Sequence, residues 1–230
     1  EVPPALIYRA HQILENCRCF RVFGSTEVPL VTQGFQAVED AHLAAETDGR
    51  IYNYDVRLVD AAGNDVGPGE EGEILARGPA MFLGYTDWDQ TREAIDGEGF
   101  FRTGDLARRS PKDSLKISGR KKDIIIRGGE NLSAKEIEDV IHKHPSVSEA
   151  AVVSMPHPRL GETVCAFVIA QQGGQLPTET DIKDHVRSSG LAPQKIPERV
   201  EFVDEFPKTA SGKVRKDELR RIIREKISAE

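Results

Sequence analysis

The sequence has little of several residue types, and each shortage excludes a class of protein. Only three of its 230 residues are cysteines, and an odd count without a framework indicates a reducing compartment. No apolar run approaches the roughly 20 residues that a membrane-spanning helix needs. Acidic residues outnumber basic ones, and the formal net charge of −7 argues against a general nucleic-acid or membrane binder. We therefore expect a cytoplasmic protein with no nucleic-acid partner and no membrane span.

Two further observations concern the first residues of the chain. Cys17 and Cys19 are separated by one residue and could hold a metal, but a pair of this kind in a strand-like run is more typical of two small buried side chains. Residues 1–12 lack the basic start and apolar centre of a signal peptide. The chain begins at Glu1 inside a helix-like segment, so we expect it to be part of a longer polypeptide.

What is present predicts a mixed α/β (α+β) fold in two parts. Residues 1–117 contain a strand at 19–23 and, from about 40 onward, short alternating strands separated by turn residues, among them 100–102 and 105–109 on either side of Gly104, which predict a small antiparallel or β-barrel-like unit. Residues 118–230 mix strands with amphipathic helices and predict a compact α/β domain. Inside it, Ser133 and Glu136 have the spacing of a helix capping box. A hinge is expected at 118–122.

The stretch FGSTE, at 23–27, has the composition of a phosphate-binding turn. Gly24 allows close backbone approach, and the hydroxyls of Ser25 and Thr26 can face a phosphate. Glu27 could hold a Mg²⁺ ion that bridges the phosphate, and the ring of Phe23 could stack on a base. Five residues alone are more typical of an ordinary turn that follows a strand.

Two later stretches add a carboxylate and a basic junction. Asp105, in FRTGDLARR, lies between a glycine and a strand, where a carboxylate can accept hydrogen bonds from two ribose hydroxyls. Asp is also a common turn residue. Arg120 and Lys122, in SGRKKDIIIRGGEN, fall at the predicted domain boundary, where a hinge would lie.

Near its end the chain reads PKTASGKVRK, at 207–216. Small residues surround Lys213 and offer nothing to pack against, and Gly212 adds backbone freedom, so we expect an exposed and mobile loop. The simplest interpretation is a solvated loop that precedes a basic helix. The alternative is a lysine on a flexible arm that approaches an anion and withdraws.

In this order and spacing, the motifs FGSTE, GEILARGPAMFLGY, FRTGDLA, SGRKKDIIIRGGENLSAKEIE and PKTASGK resemble those of the adenylate-forming superfamily. That superfamily includes acyl- and aryl-CoA synthetases, luciferases and nonribosomal adenylation domains. The resemblance covers essentially the whole chain, and its C-terminal motifs are most similar to the acyl-CoA synthetase branch. It implies an ATP-dependent carboxylate–CoA ligase that forms acyl-AMP and then acyl-CoA, with Mg²⁺ as cofactor, CoA as co-substrate and a small carboxylic acid as substrate.

The resemblance also implies roles for the nucleotide-site residues. Phe23 would stack on adenine, where relatives usually carry tyrosine, and Gly24 and Ser25 would belong to the same nucleotide-binding turn. Thr26 would meet the phosphate and Glu27 the Mg²⁺. Asp105 would bind the ribose hydroxyls, with Arg120 beside it.

For the second part of the chain, the resemblance implies residues that alternate between two half-reactions. Lys213 would contact the substrate carboxylate and the α-phosphate during adenylation. Lys122 would be the hinge, and after rotation Gly128, Gly129 and Glu130 would line the pantetheine tunnel.

One family feature is absent, namely the Ser/Thr/Gly-rich phosphate loop that ends in lysine. The sequence therefore predicts the C-terminal part of a synthetase, whose partner is the missing N-terminal part of the same enzyme, and predicts that this part alone is inactive. Two alternatives stay open: an adenylation domain that loads a carrier protein instead of CoA, and a non-catalytic fragment.

Overall fold

The computed structural model describes residues 2–173 and 176–229 of the chain. They divide into two compact units, unit 1 up to Lys121 and unit 2 from Lys122. The helices are α1 to α6: Pro4–Ile13, Ala41–Glu46, Trp88–Ala94, Ala134–Ile141, Glu179–Ser188 and Lys216–Ala229. The strands are β1 to β11: Thr32–Gln33, Arg50–Ile51, Asp55–Val59, Gly72–Arg77, Phe101–Ser110, Ser114–Arg120, Ile124–Arg127, Glu130–Ser133, Val147–His157, Gly161–Ala170 and Arg199–Phe202. The mixed α/β class predicted from the sequence is confirmed.

Unit 1 is built on a six-stranded sheet in the order β1-β2-β6-β5-β4-β3. Every pairing in it is antiparallel. The outermost strands, β1 and β3, lie at opposite ends of this path, so within the described residues the sheet is open and the barrel-like form that we predicted is not closed. One face packs into a core that contains Phe23, Leu58, Ile74 and Leu115.

Two local predictions in unit 1 were wrong. Residues 19–23 form no strand in the described structure, since the backbone N–H of Arg21 bonds Ala44 O and that of Phe23 bonds the side-chain hydroxyl of Thr32 and not a strand's backbone carbonyl. The two short strands expected on either side of Gly104 are one strand, β5. Gly104 takes φ 71°, a left-handed conformation available to glycine, and the strand continues through it.

Unit 2 is a five-stranded sheet with helices on both faces. Strands β9 and β10 pair along their whole length, and β10 also pairs in parallel with β11. Because side chains alternate along a strand, Val164 and Ala166 face the core that contains residues of α4 and α5, whereas Cys165 and Phe167 face the one that contains residues of α6. Burial on both faces explains why the two strands have continuous apolar runs.

The helix starts in unit 2 partly match their sequence signals. Ser133 accepts a hydrogen bond from the N–H of Glu136, as predicted for the N-cap of α4, but the Glu136 carboxylate is paired with Lys195. A complete capping box, which we did not predict, begins α5, where Thr178 and Asp181 bond each other's backbone. Within the described part of the chain, no helix combines the length and apolar character needed to cross a bilayer.

Candidate nucleotide and acyl-transfer site

The FGSTE segment forms a tight turn that folds back on itself. Ser25 N–H donates to Val28 O at 3.0 Å, and the Val28 N–H in turn lies 3.3 Å from the Ser25 hydroxyl. A Cβ on Gly24 would lie 2.5 Å from the backbone nitrogen of Leu30, which is closer than atoms pack. Gly24 is therefore required by the turn itself, in addition to any ligand that approaches it.

Glu27 is held in place by two hydroxyl groups. The Ser25 hydroxyl donates to Oε2 at 2.9 Å, and the Tyr85 hydroxyl donates to Oε1 at 3.0 Å. Partial burial acts to raise the pKa of Glu27, but these hydrogen bonds, one from its own backbone N–H and the positive charge of Arg120 outweigh it, so the pKa is lowered. The side chain is thus an oriented, ionised carboxylate.

Two residues of the motif differ sharply in exposure. Thr26 is exposed, so its hydroxyl is available to a ligand. Phe23 is only 7% exposed and packs in the core of unit 1. Its ring is therefore mainly a core side chain and offers little surface to a base.

Asp105 and Arg120 are brought together by the pairing of β5 with β6. The two residues are cross-strand partners, and Arg120 Nε donates to Asp105 Oδ1 at 2.8 Å. Asp105 is 6% exposed, and its backbone N–H bonds the Thr103 hydroxyl at 3.1 Å. Arg120 also lowers the pKa of Glu27, so one guanidinium acts on both predicted carboxylates.

Behind this region lies a buried ion pair that sequence reasoning missed. Arg21 donates to both oxygens of Asp48, at 2.9 and 2.6 Å, and both residues are almost fully buried. Asp48 Oδ2 also accepts the N–H of Ile117 in β6 at 2.8 Å, and its backbone oxygen accepts from the hydroxyl of Thr32. Because Thr32 bonds the backbone of Phe23, the pair links the FGSTE turn to the strand that carries Arg120.

The junction between the units is short. Residues 118–120 of the predicted hinge are the end of β6, and Lys122 lies in a single 3₁₀ turn, Lys121–Asp123. The Lys122 side chain is exposed, whereas its carbonyl accepts from Arg220, which also pairs with Asp123 at 2.5 Å. Within unit 2, α6 therefore anchors the residues that follow Lys122.

Gly128 and Gly129 form the two-residue turn of the β7–β8 hairpin. Their φ values are 57° and 89°, which is the left-handed pattern of a type I′ turn. Gly128 N–H donates to Leu160 O at 2.9 Å, and Glu130 accepts from Gln194 at 2.8 Å. Gly128, Gly129 and Glu130 are exposed, so the hairpin presents backbone and one carboxylate to solvent.

Lys213 lies in an exposed loop, as predicted, but the loop has a defined hydrogen-bonded shape. Thr209 N–H donates to Lys213 O at 2.8 Å, and Lys213 N–H donates to the Thr209 hydroxyl at 3.1 Å. Gly212 takes φ 81° and Lys208 pairs with Val214, which makes the segment a small hairpin. Hydrogen bonds of Thr209, and not packing of the small residues, therefore give the loop its shape.

Unit 1 thus contains two carboxylates and a guanidinium group that acts on both of them. Unit 2 presents the ammonium group of Lys213 in an exposed hairpin. The carboxylates of Glu27 and Asp105 can bind a cation or hydroxyl groups, and Arg120 can bind a phosphate. Tyr85 lies 58 residues along the chain from Glu27, and Asp48 lies 27 residues from Arg21. No local sequence signal could therefore have identified either contact.

Comparisons with known proteins agree with these motifs. The family model described as AMP-binding enzyme matches residues 1–86, and the one described as AMP-binding enzyme C-terminal domain matches residues 136–213. Triostin synthetase I of Streptomyces triostinicus is 44% identical over 94% of this chain and 41% of its own length. The 2,3-dihydroxybenzoate-AMP ligase of Bacillus subtilis is 41% identical over 93% of this chain and 40% of its own.

A solved structure extends the similarity to the fold. The anthranilate CoA ligase AuaEII, in complex with anthranoyl-AMP, superposes with a TM-score of 0.87 and 28% identity, covering 99% of this chain and 44% of that one. The chain thus spans about two fifths of the length of the curated relatives it matches. With both family models matched in order and the same fold, the chain belongs to the adenylate-forming, AMP-binding enzymes.

Proposed function

We propose that the chain is part of an ATP-dependent carboxylate–CoA ligase, which forms acyl-AMP with release of pyrophosphate and then acyl-CoA with release of AMP. One observation carries the proposal: Arg120 pairs with Asp105 and at the same time lowers the pKa of Glu27. A ribose-binding carboxylate, an ionised carboxylate and a phosphate-binding guanidinium at one place are what a nucleotide site needs.

In this proposal the nucleotide is bound by groups that are already oriented. Asp105, almost fully buried and fixed by Arg120, accepts hydrogen bonds from the ribose hydroxyls. The exposed Thr26 donates to a phosphate, together with backbone of the turn formed by Gly24 and Ser25. Phe23 contacts adenine through the small part of its ring that is exposed, which is a weaker role than full stacking.

The donor set also fits a Mg²⁺ ion. No group of three or more possible ligands among His, Cys, Asp and Glu occurs in the described residues. Mg²⁺ in nucleotide enzymes usually binds one or two carboxylates and completes its shell with phosphate oxygens and water. Glu27, ionised and oriented by Ser25 and Tyr85, is the residue that would hold it, and the ion would neutralise phosphate charge.

Unit 2 supplies the groups for the two half-reactions. Lys213 is exposed, and among the described residues no hydrogen bond or ion pair engages its ammonium group, so the charge is available to an anion. Placed between the acid and the α-phosphate, it would reduce the repulsion of two approaching anions. The exposed hairpin of Gly128, Gly129 and Glu130 would line the path of the thiol, and Lys122 would be the hinge.

Two of the similar proteins support an aromatic acid as substrate, and one of them supports CoA as the acceptor. One relative joins 2,3-dihydroxybenzoate to AMP, and one structural neighbour holds anthranoyl-AMP, which supports an aromatic acid as substrate. The neighbour is a CoA ligase, which supports CoA as the acceptor. Loading of a carrier protein is the alternative to CoA.

The use of ATP and the three free cysteines support a cytoplasmic location for the enzyme.

The test separates the half-reactions in the longer polypeptide. Pyrophosphate exchange with a panel of aromatic and aliphatic acids should identify an aromatic acid, and pre-formed acyl-AMP should then react with free CoA. Thioester formation on a carrier protein but not on CoA would replace the CoA proposal by its alternative. The 230 residues alone should show no exchange, and exchange by this chain would contradict the proposal that a further part of the enzyme is needed.

The hinge has its own test, Lys122→Pro. Proline fixes φ near −65° and removes a backbone donor, so the junction could not rotate. Acyl-AMP formation should survive while thioester formation collapses. Equal loss of both would indicate misfolding, and no loss would mean that rotation occurs at another residue.

A further inference from the structure

The structure brings the thiols of Cys17 and Cys19 into contact. Their sulfur atoms are 3.8 Å apart, Cys17 is exposed and Cys19 is half-buried. The sequence predicted two small buried side chains, which is wrong for Cys17 because no strand covers residues 17–19 in the described structure. An accessible thiol beside a second thiol is the arrangement found at redox-active cysteines.

Local hydrogen bonds hold the two cysteines in this turn. Cys17 N–H donates to Leu14 O at 3.1 Å, just after α1. On the other side, His11 Nε2 lies 3.1 Å from the nitrogen and 2.8 Å from the oxygen of Cys19, so the ring can bond the Cys19 backbone in either tautomer. The thiols therefore meet because their backbone is fixed at both residues.

We propose that Cys17 and Cys19 form a reversible redox site, at which a hydroperoxide closes an intrachain disulfide. The exposed Cys17 sulfur attacks the peroxide and becomes a sulfenic acid, with release of one water from hydrogen peroxide. The Cys19 sulfur then displaces the hydroxyl of the sulfenic acid, which leaves as a second water. Two thiols supply two electrons and two protons, and one disulfide forms. This proposal is independent of the proposed function.

The two cysteines have different surroundings, which assigns their order of reaction. The hydrogen bond with Cys17 raises the pKa of the Cys19 thiol, and burial and the nearby Cys17 add to the effect. Cys17 is exposed and Cys19 is half-buried, so Cys17 meets the peroxide first and Cys19 is the resolving residue. A ring closed over one intervening residue is small and strained, so the disulfide should be easily reduced.

The third cysteine serves as an internal control. Cys165 is fully buried in β10, and burial above all, with a contribution from Glu201, raises its pKa to about 12. A buried, protonated thiol reacts slowly with peroxide. We therefore expect oxidation to stop at one disulfide and one remaining thiol.

The experiment uses the reduced 230-residue chain and one equivalent of hydrogen peroxide. Free thiols should fall from three to one, and the intact mass should fall by two hydrogen atoms. Trypsin cleaves after Arg18, between the two cysteines, so the denatured oxidised chain should give peptides 10–18 and 19–21 joined by a disulfide. Glutathione should separate them again and restore three thiols.

Variants and adverse outcomes complete the test. Cys165→Ser should keep the linked peptides, whereas Cys17→Ser and Cys19→Ser should each abolish them, with far-UV circular dichroism as the check on folding. Interchain dimers as the main product, a link that includes Cys165, overoxidation of Cys17 without a link, or three intact thiols after excess peroxide would each overturn the site. A disulfide that persists in excess glutathione would overturn its reversibility.

Discussion

The two units differ in whether charged side chains are buried in their interior. All the charged residues that are buried in the described parts of the chain belong to unit 1, namely Arg21, Asp48, Glu73 and Asp105. In unit 2 the buried polar residues are Ser154 and Thr163, both uncharged. A buried charge is tolerated only with partners, and those partners fix its position. Unit 1 thus holds charged groups at fixed positions in its interior, whereas unit 2 is an apolar scaffold that presents charged groups on its surface.

The largest effect expected from this difference is on stability, at the buried pair of unit 1. Asp48→Ala leaves Arg21 buried without its partner and frees the N–H of Ile117, so it should lower the free energy of unfolding by about 3–5 kcal/mol. The only tryptophan and all four tyrosines lie in unit 1, so near-UV circular dichroism read in the tryptophan and tyrosine bands reports on the unfolding of that unit in urea.

The matched control for Asp48 is an exposed pair in the same unit. Asp65→Ala removes a partner of Arg57 at the surface and should cost at most about 1 kcal/mol. The double variant Arg21→Met with Asp48→Leu should recover much of the loss, since no charge remains buried. Equal costs for Asp48→Ala and Asp65→Ala would show that burial does not raise the value of a charged pair, which is the premise of the comparison between the units.

The same comparison explains how far the sequence predicted the molecule. Unit 2 was largely predictable because its signals are local: the Gly128-Gly129 turn, the cap at Ser133 and the apolar runs of β9 and β10 each lie within a few residues. In unit 1, the missing strand at 19–23 and the open sheet depend on which segments become neighbours, which no short window contains.

The candidate site shows the same contrast between local sequence signals and contacts from distant parts of the chain. Motif similarity proposed Glu27, Asp105 and Arg120 as site residues; in unit 1 Arg120 pairs with Asp105, and its positive charge contributes to the lowered pKa of Glu27. The Tyr85 hydroxyl that orients Glu27 was missed because it comes from a distant part of the chain. Lys213 was proposed from its exposed loop together with the motif resemblance, whereas the hydrogen bonds that shape the loop involve Thr209, four residues earlier.

The next largest effect concerns Lys213, the exposed charge of unit 2. In the longer enzyme, Lys213→Ala should slow adenylation by roughly 10²–10³-fold, the loss seen when one charge-stabilising donor is removed. Its stability should hardly change, because the side chain is exposed. Pyrophosphate exchange measures the first half-reaction, and CoA with pre-formed acyl-AMP measures the second, which should be nearly unaffected.

The control for Lys213 lies in the same hairpin. Lys208 is paired with Glu149 at 3.0 Å, and Lys208→Ala should leave both half-reactions unchanged. If both half-reactions slowed in Lys213→Ala, the lysine would act in both steps. The proposal that it serves adenylation alone would then be wrong. If neither slowed, Lys213 would be an ordinary surface residue.

A smaller effect is expected at Asp105, where a buried carboxylate meets a ligand. In the longer enzyme, Asp105→Ala should weaken ATP binding by on the order of 1–3 kcal/mol, because ribose hydroxyls lose their acceptor. Asp105→Asn retains an acceptor and should lose less. Equilibrium titration with a non-hydrolysable ATP analogue measures both variants, and unchanged affinity in Asp105→Ala would make the residue only a partner of Arg120.

The smallest effect should come from a partly exposed pair in unit 2. Arg127 donates to Glu198 at 2.7 Å, and each side chain is about a quarter to a third exposed. Burial acts to raise the pKa of Glu198, but hydrogen bonds from Arg127 and Thr163 and the charges of Arg127 and His157 outweigh it, so the pKa is lowered. Solvent screening limits the value of such a pair to about 1 kcal/mol or less.

The pH dependence of this pair gives the final test. Because the folded pKa of Glu198 is lowered, its contribution to stability is fully present above the unfolded pKa of about 4.5 and is lost as the pH falls through the folded pKa. Glu198→Gln should therefore be less stable than the parent at neutral pH by about 1 kcal/mol or less, and the difference should vanish in acid. Urea unfolding followed by far-UV circular dichroism at several pH values measures it, with Glu130→Gln, whose partner Gln194 is uncharged, as the control. A difference of 3 kcal/mol or more, the size expected for a buried pair, would show that unit 2 also stabilises itself with desolvated charge.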